Sequence, residues 1–339
     1  MKRLFITSKI STLLVGVLFL IGGCNISSNK PKIGFLFPHL QSDRYVKEQK
    51  YFTDKIGELG GEAITAEAGA DDKVQIKQAS EMIEKGAKVL VLNAINVNTA
   101  AAIVREAKAN KVSVIAYDRL VQNCDLDCFL SFDNEKVGKL MAEYLTKLKP
   151  EGNYILLGGD KDDQNALLVK KGQLSVLDPF LKSGKIKIIY STFIESWSGD
   201  NARHEMEKYL DLGGLIPDAI LSSYDGLSTG TIEMLKEQKI TAPILFSGQD
   251  AELAACRNIV AGTQAMTVYK SVRNLAYKAA ELSMKLAKKE KLTDVSTTVS
   301  NGKKDVPSVL LDPVAVDKSN LKSTVIADDF HSEKEIYNQ

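Results

Sequence analysis

An aspartate and an arginine, Asp118 and Arg119, stand side by side at the end of the apolar run 112–117. In an open α/β sheet, side chains just past the carboxyl ends of the strands line the ligand crevice. A carboxylate accepts hydrogen bonds and a guanidinium donates them, so this pair can hold ligand hydroxyl groups from both directions. The pattern indicates a polyol site, and its alternative is a surface turn with a solvated ion pair.

The elements that would position this pair follow a parallel-sheet rhythm, because strand-like apolar runs alternate with amphipathic helical stretches. The helical stretch after Asp72, for example, ends at Gly86 and carries apolar residues at helical spacing. The rhythm restarts at Asn153 after the helix breaker Pro150. We therefore predict an α/β fold with two lobes and a cleft between them. The predicted strands are 32–37, 63–66, 89–93, 112–117, 153–157, 186–190, 219–222 and 243–246.

The first residues form an export signal rather than part of the fold. Basic residues precede the apolar run 13–21, which ends in two glycines and Cys24. This arrangement resembles a bacterial lipoprotein signal, in which Cys24 becomes the lipidated first residue of the mature protein. The alternatives are an ordinary signal peptide or an uncleaved anchor, although the apolar run is short for a spanning helix. The polar segment 25–31 is predicted to be a tether to the membrane surface.

Composition excludes several classes of function. The 339 residues include 44 basic and 43 acidic ones, for a net charge of +1, and no basic block with interleaved aromatic residues indicates a nucleic-acid partner. His39, His204 and His331 lack metal-ligand spacing, so neither a metal nor another cofactor is predicted. The sequence also lacks the glycine-rich phosphate motifs and the nucleophile elbow of common α/β enzymes. We therefore predict a protein that is not an enzyme.

Three cysteines follow Cys24. Cys124 and Cys128 flank a three-residue gap in the loop after the Asp118–Arg119 pair. An exported protein can keep a disulfide, so the alternatives are a loop-stapling bond and two reduced thiols. Cys256 lies in an apolar helical pattern and is predicted to be a small buried residue.

Motifs along most of the chain resemble the periplasmic D-xylose-binding proteins, which belong to the type I solute-binding superfamily. The similarity covers residues 32–320, and its strength comes from six motifs in the same order at compatible spacings. They are AYDR with SFDNEKVG, GNYILLGG, the Trp of ESW, SGQDAELAACRNIVAGTQAMTVYK and NGKKDVPSVLL.

The resemblance implies a type I periplasmic binding protein fold, with two Rossmann-like lobes of parallel sheet joined by a three-strand hinge. The implied N-terminal lobe comprises residues 32–133 and 265–300. The implied C-terminal lobe comprises residues 134–264 and 301–339.

The resemblance also carries seven sugar contacts onto residues of the expected types. For four of them, the residue type also fits a role other than sugar binding. Arg44 is also consistent with a surface helix charge, Trp197 with core packing and Asp250 with a helix cap. Lys270 would otherwise be a solvated lysine. The predicted ligand-binding residues are Arg44, Asp118, Arg119, Asn165, Trp197, Asp250 and Lys270.

Three departures from the family pattern make His39, Tyr45 and Tyr224 candidates for the pocket wall. The family's usual Asp-Asp-Leu-Arg after the first strand is Pro-His-Leu-Gln at 38–41, and its following Trp is Tyr45. Tyr224 stands where the family usually has Asn. These differences leave D-xylose as the first candidate ligand and another pentose or small aldose as the second.

The resemblance implies a monomer that closes its lobes on one monosaccharide and delivers it to an ABC permease. We expect the protein to be lipid-anchored on the periplasmic or extracellular face of the cell membrane. The alternative is a sensory lipoprotein that presents the bound sugar to a membrane histidine kinase or a chemoreceptor. Fold and pocket would be the same in both cases.

Overall fold

The computed structural model describes residue 1, residues 30–41 and residues 43–338. The compact unit Pro31–Gln339 contains every strand and helix named below. Residues 2–24 of the predicted export signal, with Cys24, and residues 25–29 of the predicted tether lie outside the described residues.

The described residues alternate strands and helices through most of their length. The strands are β1 Lys32–Phe37, β2 Glu62–Glu67, β3 Ala87–Leu92, β4 Ser113–Tyr117, β5 Cys128–Phe132, β6 Gly152–Gly158, β7 Ile186–Phe193, β8 Ala219–Ser222, β9 Leu245–Phe246, β10 Thr267–Tyr269, β11 Thr297–Ser300, β12 Asp305–Leu311 and β13 Val314–Val316. The α-helices are α1 Asp43–Glu58, α2 Asp72–Glu84, α3 Ala101–Ala109, α4 Asn134–Leu148, α5 Gln164–Lys182, α6 Gly199–Asp211, α7 Asp225–Glu237, α8 Leu253–Ala261, α9 Val272–Ala287 and α10 Glu333–Tyr337.

The larger sheet has seven strands in the order β11-β12-β5-β4-β3-β1-β2, all parallel except the edge strand β11. Its two faces are covered by different apolar clusters, because successive side chains of a strand point to opposite sides. In β3, Leu90 and Leu92 join one cluster with α2 and α3, whereas Val89 and Val91 join the other with α1 and α9. Burial on both faces explains why these strands read as continuous apolar runs.

The smaller sheet has four parallel strands in the order β7-β6-β8-β9. The cluster on one face includes residues of α4 and α5, and the cluster on the other includes residues of α6 and α7. A separate antiparallel pair joins β10 and β13. The chain runs from β5 in the larger sheet to β6 in the smaller one, returns from β9 through β10 to β11 in the larger sheet, and passes from β12 to β13, which pairs with β10. These are three connections out of the larger sheet, the number that the predicted hinge requires.

Every predicted strand corresponds to an observed one, and the predictions for 32–37 and 219–222 agree at both ends. The strand β5 was not predicted, although its five residues, CFLSF, are mostly apolar and all buried. The lobe boundaries stay a prediction. The strand β12, which that prediction gave to the C-terminal lobe, pairs with β5 in the larger sheet.

The three cysteines beyond the predicted signal are free and buried. Of the two alternatives for Cys124 and Cys128, the structure has the reduced thiols and not the disulfide. Cys128 lies in β5 rather than in the loop, and its thiol faces the backbone oxygen of Phe129 at 3.6 Å. Cys256 packs in the core as predicted. In the described part of the chain, no helix combines the length and apolar character that a membrane crossing requires.

The close packing of α4 against α5 depends on two glycines. A Cβ atom added to Gly138 of α4 would lie 1.9 Å from the backbone oxygen of Val169, and one added to Gly172 of α5 would lie 2.0 Å from that of Glu135. Such distances are far below van der Waals contact, and backbone atoms cannot move aside as a flexible side chain can. The backbones of α4 and α5 can approach this closely only without side chains at these positions.

Gly138→Ala should lower the free energy of unfolding by about 1–3 kcal/mol, because α4 and α5 must separate to admit the methyl group. Gly57→Ala is the matched control, since Gly57 is also helical and an added Cβ would meet no atom within 4 Å. That substitution should raise stability by up to about 1 kcal/mol, because alanine favours the helix. Urea unfolding measures both effects, and equal stabilities for the two variants would contradict the packing argument.

Candidate functional site

A cavity of about 220 Å³ lies where strands of both larger sheets end. The structure brings all ten sequence-predicted residues, binding and wall candidates alike, to its lining. Three further residues complete the lining, and we had not predicted them. The ten are His39, Arg44, Tyr45, Asp118, Arg119, Asn165, Trp197, Tyr224, Asp250 and Lys270, and the three are Asp163, Ser196 and Gln249.

Asp118 lies immediately after β4 and is held by the neighbouring strand. Its backbone N–H donates to the oxygen of Leu130 in β5 at 2.8 Å, and its own oxygen accepts from Ser131 Oγ at 3.0 Å. The backbone of Asp118 has φ 64°, a left-handed conformation that short polar residues adopt more readily than others. The unpredicted strand β5 therefore fixes the residue that the sequence identified first.

Arg44 is the central cation of the site. Its guanidinium contacts Glu48 Oε1 at 2.8 Å, Asp118 Oδ2 at 3.1 Å and Asp250 Oδ1 at 3.9 Å. Its side chain is only 13% exposed, so the alternative of a surface helix charge is wrong. The helix α1, which packs on the larger sheet, carries Arg44 to residues that follow β4 and β9.

The charges around Asp118 determine its protonation. Burial raises the pKa of this carboxyl, but the positive charges of Arg44, Lys270 and Arg119 outweigh burial and place the pKa below its ordinary value. Asp118 is thus a carboxylate at neutral pH. It can accept hydrogen bonds from a ligand but cannot donate one.

Lys270 and Asp250 form the second charged part of the site. Lys270 follows β10, is buried, and its Nζ lies 2.8 Å from Asp250 Oδ1. Asp250 has φ 89°, and its N–H donates to the oxygen of Val268 in β10 at 2.9 Å. The helix α8 begins at Leu253 with Glu252 as its N-cap residue, so the cap alternative for Asp250 is wrong. The solvated alternative for Lys270 is also wrong.

Residues at the start of α5 add to the polar lining of the cavity. Asp163 is the N-cap residue of α5, and its Oδ2 lies 3.5 Å from Arg119 Nε. Asn165 donates from Nδ2 to the backbone oxygen of Asp118 at 3.2 Å and accepts from Asn134 Nδ2 at 2.9 Å. These contacts join the end of β4 in the larger sheet to the residues that follow β6 in the smaller one.

Trp197 supplies a flat apolar surface. It ends a single 3-10 turn, Glu195–Trp197, where Ser196 and Trp197 have φ 58° and 55°. A Cβ added to Gly159 would lie 2.3 Å from the indole, so the ring rests directly on this glycine. The turn is tied by the Ser196 N–H, which donates to Asp160 Oδ2 at 2.7 Å. Left-handed backbone at two consecutive residues other than glycine is strained, and such strain is common at ligand sites.

The three candidates for the pocket wall, His39, Tyr45 and Tyr224, line the same cavity. Tyr224 meets the indole of Trp197 edge to face, with the ring centroids 6.2 Å apart, and its hydroxyl donates to Glu252. His39 packs edge to face on Tyr45 at 5.0 Å. Burial and the charge of Arg119 lower the pKa of His39, so its imidazole is neutral at pH 7.

The three unpredicted lining residues all follow the carboxyl end of a parallel strand. Asp163 comes five residues after β6, Ser196 three residues after β7 and Gln249 three residues after β9. Such positions line the crevice of an open α/β sheet, so strand ends are the signal by which these residues could have been found. Ser196 enters the lining through the turn that presents Trp197.

The arrangement suits a small neutral ligand with several hydroxyl groups. Three cations donate hydrogen bonds, three carboxylates accept them, and Asn165 and Gln249 can do both. An indole can cover an apolar C–H face of the same ligand. No three His, Cys, Asp or Glu residues in the described ranges are grouped so that they could hold a metal ion.

Comparison with known proteins gives a consistent result. Residues 33–291 match the family described as periplasmic binding protein domain. The chain is 42% identical over 326 residues to the D-xylose-binding periplasmic protein of Haemophilus influenzae, covering 95% of this chain and 98% of that protein. It is 41% identical over 305 residues to the D-xylose-binding periplasmic protein of Escherichia coli, covering 90% of this chain and 92% of that protein.

The fold is similar to that of a solved ABC transporter solute-binding protein from Clostridium phytofermentans with bound β-D-glucose. The TM-score is 0.82 at 27% identity, and the alignment covers 90% of this chain and 99% of that one. A carbohydrate transporter solute-binding protein from Chloroflexus aurantiacus in complex with D-glucose gives the same TM-score at 25% identity, covering 91% and 99% of the two chains.

Proposed function

The chain belongs to the periplasmic binding protein domain family and has its type I fold, and on that basis we propose that it binds a monosaccharide outside the cytoplasm for an ABC importer. D-xylose is the first candidate ligand, because the two D-xylose-binding relatives cover at least nine tenths of the chain. The proposed role is binding without catalysis and without a cofactor.

The observation that carries this proposal is the composition of the cavity. Hydrogen-bond donors and acceptors both line it, together with the indole of Trp197. A pyranose presents hydroxyl groups around its rim and apolar C–H faces above and below, so each class of lining residue has a matching surface on the ligand. The proposed ligand-binding residues are Arg44, Asp118, Arg119, Asn165, Trp197, Asp250 and Lys270, with His39, Tyr45 and Tyr224 as walls.

We propose that the ligand is captured by closure of two lobes. Contacts already join groups from the two sheets, including Arg119 with Asp163 and Arg44 with Asp250. A sugar that bonds to both sets gains contacts only in the closed arrangement, so its binding shifts the population toward closure.

Titration calorimetry of the purified chain against a panel of pentoses and hexoses tests the ligand assignment. We expect D-xylose to bind more tightly than D-ribose, L-arabinose or D-glucose. Tighter binding of another aldose would reassign the ligand within the same function. If none of the sugars in the panel binds, the proposal is refuted.

The cellular partner and the anchor need separate tests. We propose delivery to an ABC permease, and crosslinking of the sugar-loaded protein in its native membrane should capture permease subunits. Capture of a histidine kinase or chemoreceptor would favour the sensory alternative. We further propose that Cys24 carries a lipid, so metabolic labelling with a fatty acid should mark the chain and should fail to mark Cys24→Ser.

Gly159→Ala should weaken sugar binding about tenfold, because the added methyl group would push the indole of Trp197 out of its position. Contact with an aromatic face raises the affinity for a ligand by roughly a factor of ten, and the variant would lose this contribution. Calorimetry gives the affinity, and the fluorescence of Trp197, the only tryptophan in the chain, reports the new environment of the ring. Gly57→Ala is again the control and should bind like the parent. Unchanged affinity and fluorescence in Gly159→Ala would contradict the stacking role.

A further inference from the structure

A buried glutamate stands behind the site and does not line the cavity. Glu48 lies one helical turn after Arg44 in α1, and its side chain is completely buried. Its Oε1 accepts from Arg44 Nε at 2.8 Å. The other nitrogens of the same guanidinium face Asp118 and Asp250, which line the cavity. Glu48 therefore fixes one edge of Arg44 while the opposite edge serves the site.

The charged groups of the site do not balance. Its cations are Arg44, Arg119 and Lys270, and the carboxylates paired with them are Glu48, Asp118, Asp163 and Asp250. One carboxylate is in excess, and a buried charge without a partner is costly enough that such a group takes up a proton instead. The cluster can become neutral by binding one proton.

Glu48 is the member best placed to hold that proton. Its side chain has no exposed surface, whereas those of Asp118, Asp163 and Asp250 are 9%, 16% and 20% exposed. Burial raises the pKa of Glu48 to about 7, against the opposing effect of Arg44. The same three aspartates line the cavity, where a ligand can hydrogen-bond them. Glu48 has no such access.

The groups that face Glu48 come from two elements. Arg44 and Tyr45 lie beside it in α1, and Tyr117 and Asp118 face it from the end of β4. Tyr117 is itself completely buried and its hydroxyl contacts Glu48. Of these groups, only the arginine is a cation. The charge of Arg44 is thus shared between a carboxylate behind the site and carboxylates within it.

We propose that Glu48 is a positioning residue whose ionised form orients Arg44 for the sugar, so that protonation of Glu48 weakens binding near neutral pH. This inference rests on the proposed function of the site. An ionised carboxylate attracts a guanidinium through its charge as well as through the hydrogen bond, whereas a neutral acid keeps only the hydrogen bond. When Glu48 gains a proton, Arg44 is drawn toward Asp118 and Asp250 and competes with the ligand for them.

The direction of the effect follows from this competition. Sugar binds more tightly when Glu48 is ionised, so affinity should rise as the pH increases through neutrality. Between pH 6 and pH 8 we expect an increase of about three- to tenfold, the difference between an ionic and a neutral hydrogen bond. By linkage, binding at pH 7 should release a fraction of a proton.

Calorimetry with D-xylose from pH 5.5 to pH 8.5 tests the proposal on the parent chain and on Glu48→Gln. Glutamine keeps the shape and an acceptor oxygen but does not titrate, so its affinity should be independent of pH. Glu58→Gln is the matched control, because Glu58 lies at the exposed end of the same helix and pairs with Lys55 at 3.1 Å. This control should retain the full pH dependence.

Calorimetry of the parent chain in two buffers of different ionisation enthalpy gives the number of protons released on binding. This measurement needs no variant, so it does not depend on whether Glu48→Gln folds. No release, or proton uptake, would overturn the proposal. A pH dependence that persists in Glu48→Gln and disappears in His39→Gln would also overturn it, because His39 would then be the titrating group. Absence of sugar binding at every pH would refute the proposed function, whereas binding that is independent of pH would refute only the role of Glu48.

Discussion

Asp118→Asn should bind D-xylose about 30- to 5,000-fold more weakly than the parent chain. Asp118 faces the positive charges of Arg44, Lys270 and Arg119 together, and these charges keep its pKa below the ordinary value. The substitution replaces a carboxylate, which only accepts hydrogen bonds, by a neutral amide, whose N–H donors can face the same cations. Loss of one partner from a buried charged hydrogen bond costs about 2–5 kcal/mol in affinity.

Asparagine is the informative substitution because the backbone at Asp118 has φ 64°, a conformation that asparagine tolerates and alanine does not favour. The loss of affinity can then be attributed to the charge rather than to strain. Asp178→Asn is the matched control, since Asp178 pairs with Lys182 at 2.6 Å on the exposed face of α5. Calorimetry should find parental affinity in this control. Parental affinity in Asp118→Asn would contradict the site assignment.

Arg44→Met should lower the free energy of unfolding by about 3–5 kcal/mol and abolish measurable sugar binding. Methionine fills much of the volume, but Glu48, Asp118 and Asp250 lose the cation that they share. Removing one partner of a buried ion pair is costly because the remaining charge stays buried and uncompensated.

The stability deficit of Arg44→Met should depend on pH in a direction that identifies its cause. Without the guanidinium, the folded-state pKa of Glu48, which burial already raises, rises further, and burial raises that of Asp118 as well, so the folded variant binds more protons than its unfolded chain. The variant should therefore regain stability as the pH falls through the raised pKa values, and its deficit should be larger at pH 8 than at pH 5.5.

Urea unfolding at the two pH values measures this effect. Arg203→Met is the control, because Arg203 pairs with Glu207 and Glu237 at the surface. Surface ion pairs contribute little, so this control should unfold nearly like the parent at both pH values. A deficit of equal size at pH 5.5 and pH 8 in Arg44→Met would indicate lost packing instead of uncompensated charge.

The positions of Asp118 and Arg119 could be predicted because both directly follow β4, and side chains just past the carboxyl ends of parallel strands line the crevice of an open α/β sheet. The resemblance to a family then added Arg44, Asn165, Trp197, Asp250 and Lys270, whose surroundings in the sequence are ordinary.

Other features depend on contacts between residues that are distant along the chain. The sequence did not reveal that β12 pairs with β5 or that Gly159 supports Trp197. The thiols of Cys124 and Cys128 have suitable spacing for a disulfide, yet both are free, because β5 commits Cys128 to the core of the sheet. Strand pairing of this kind is decided by the whole fold.

The amino-acid sequence by itself determined the alternation of strands and helices, the class of fold and the chemical character of the cavity. These properties depend on local periodicity and on residue type, which are readable along the chain. Only the tertiary structure decided which carboxylates share Arg44 and that Glu48 is buried behind it. Charge balance and desolvation are properties of the three-dimensional neighbourhood, because each depends on groups that folding brings together from different elements.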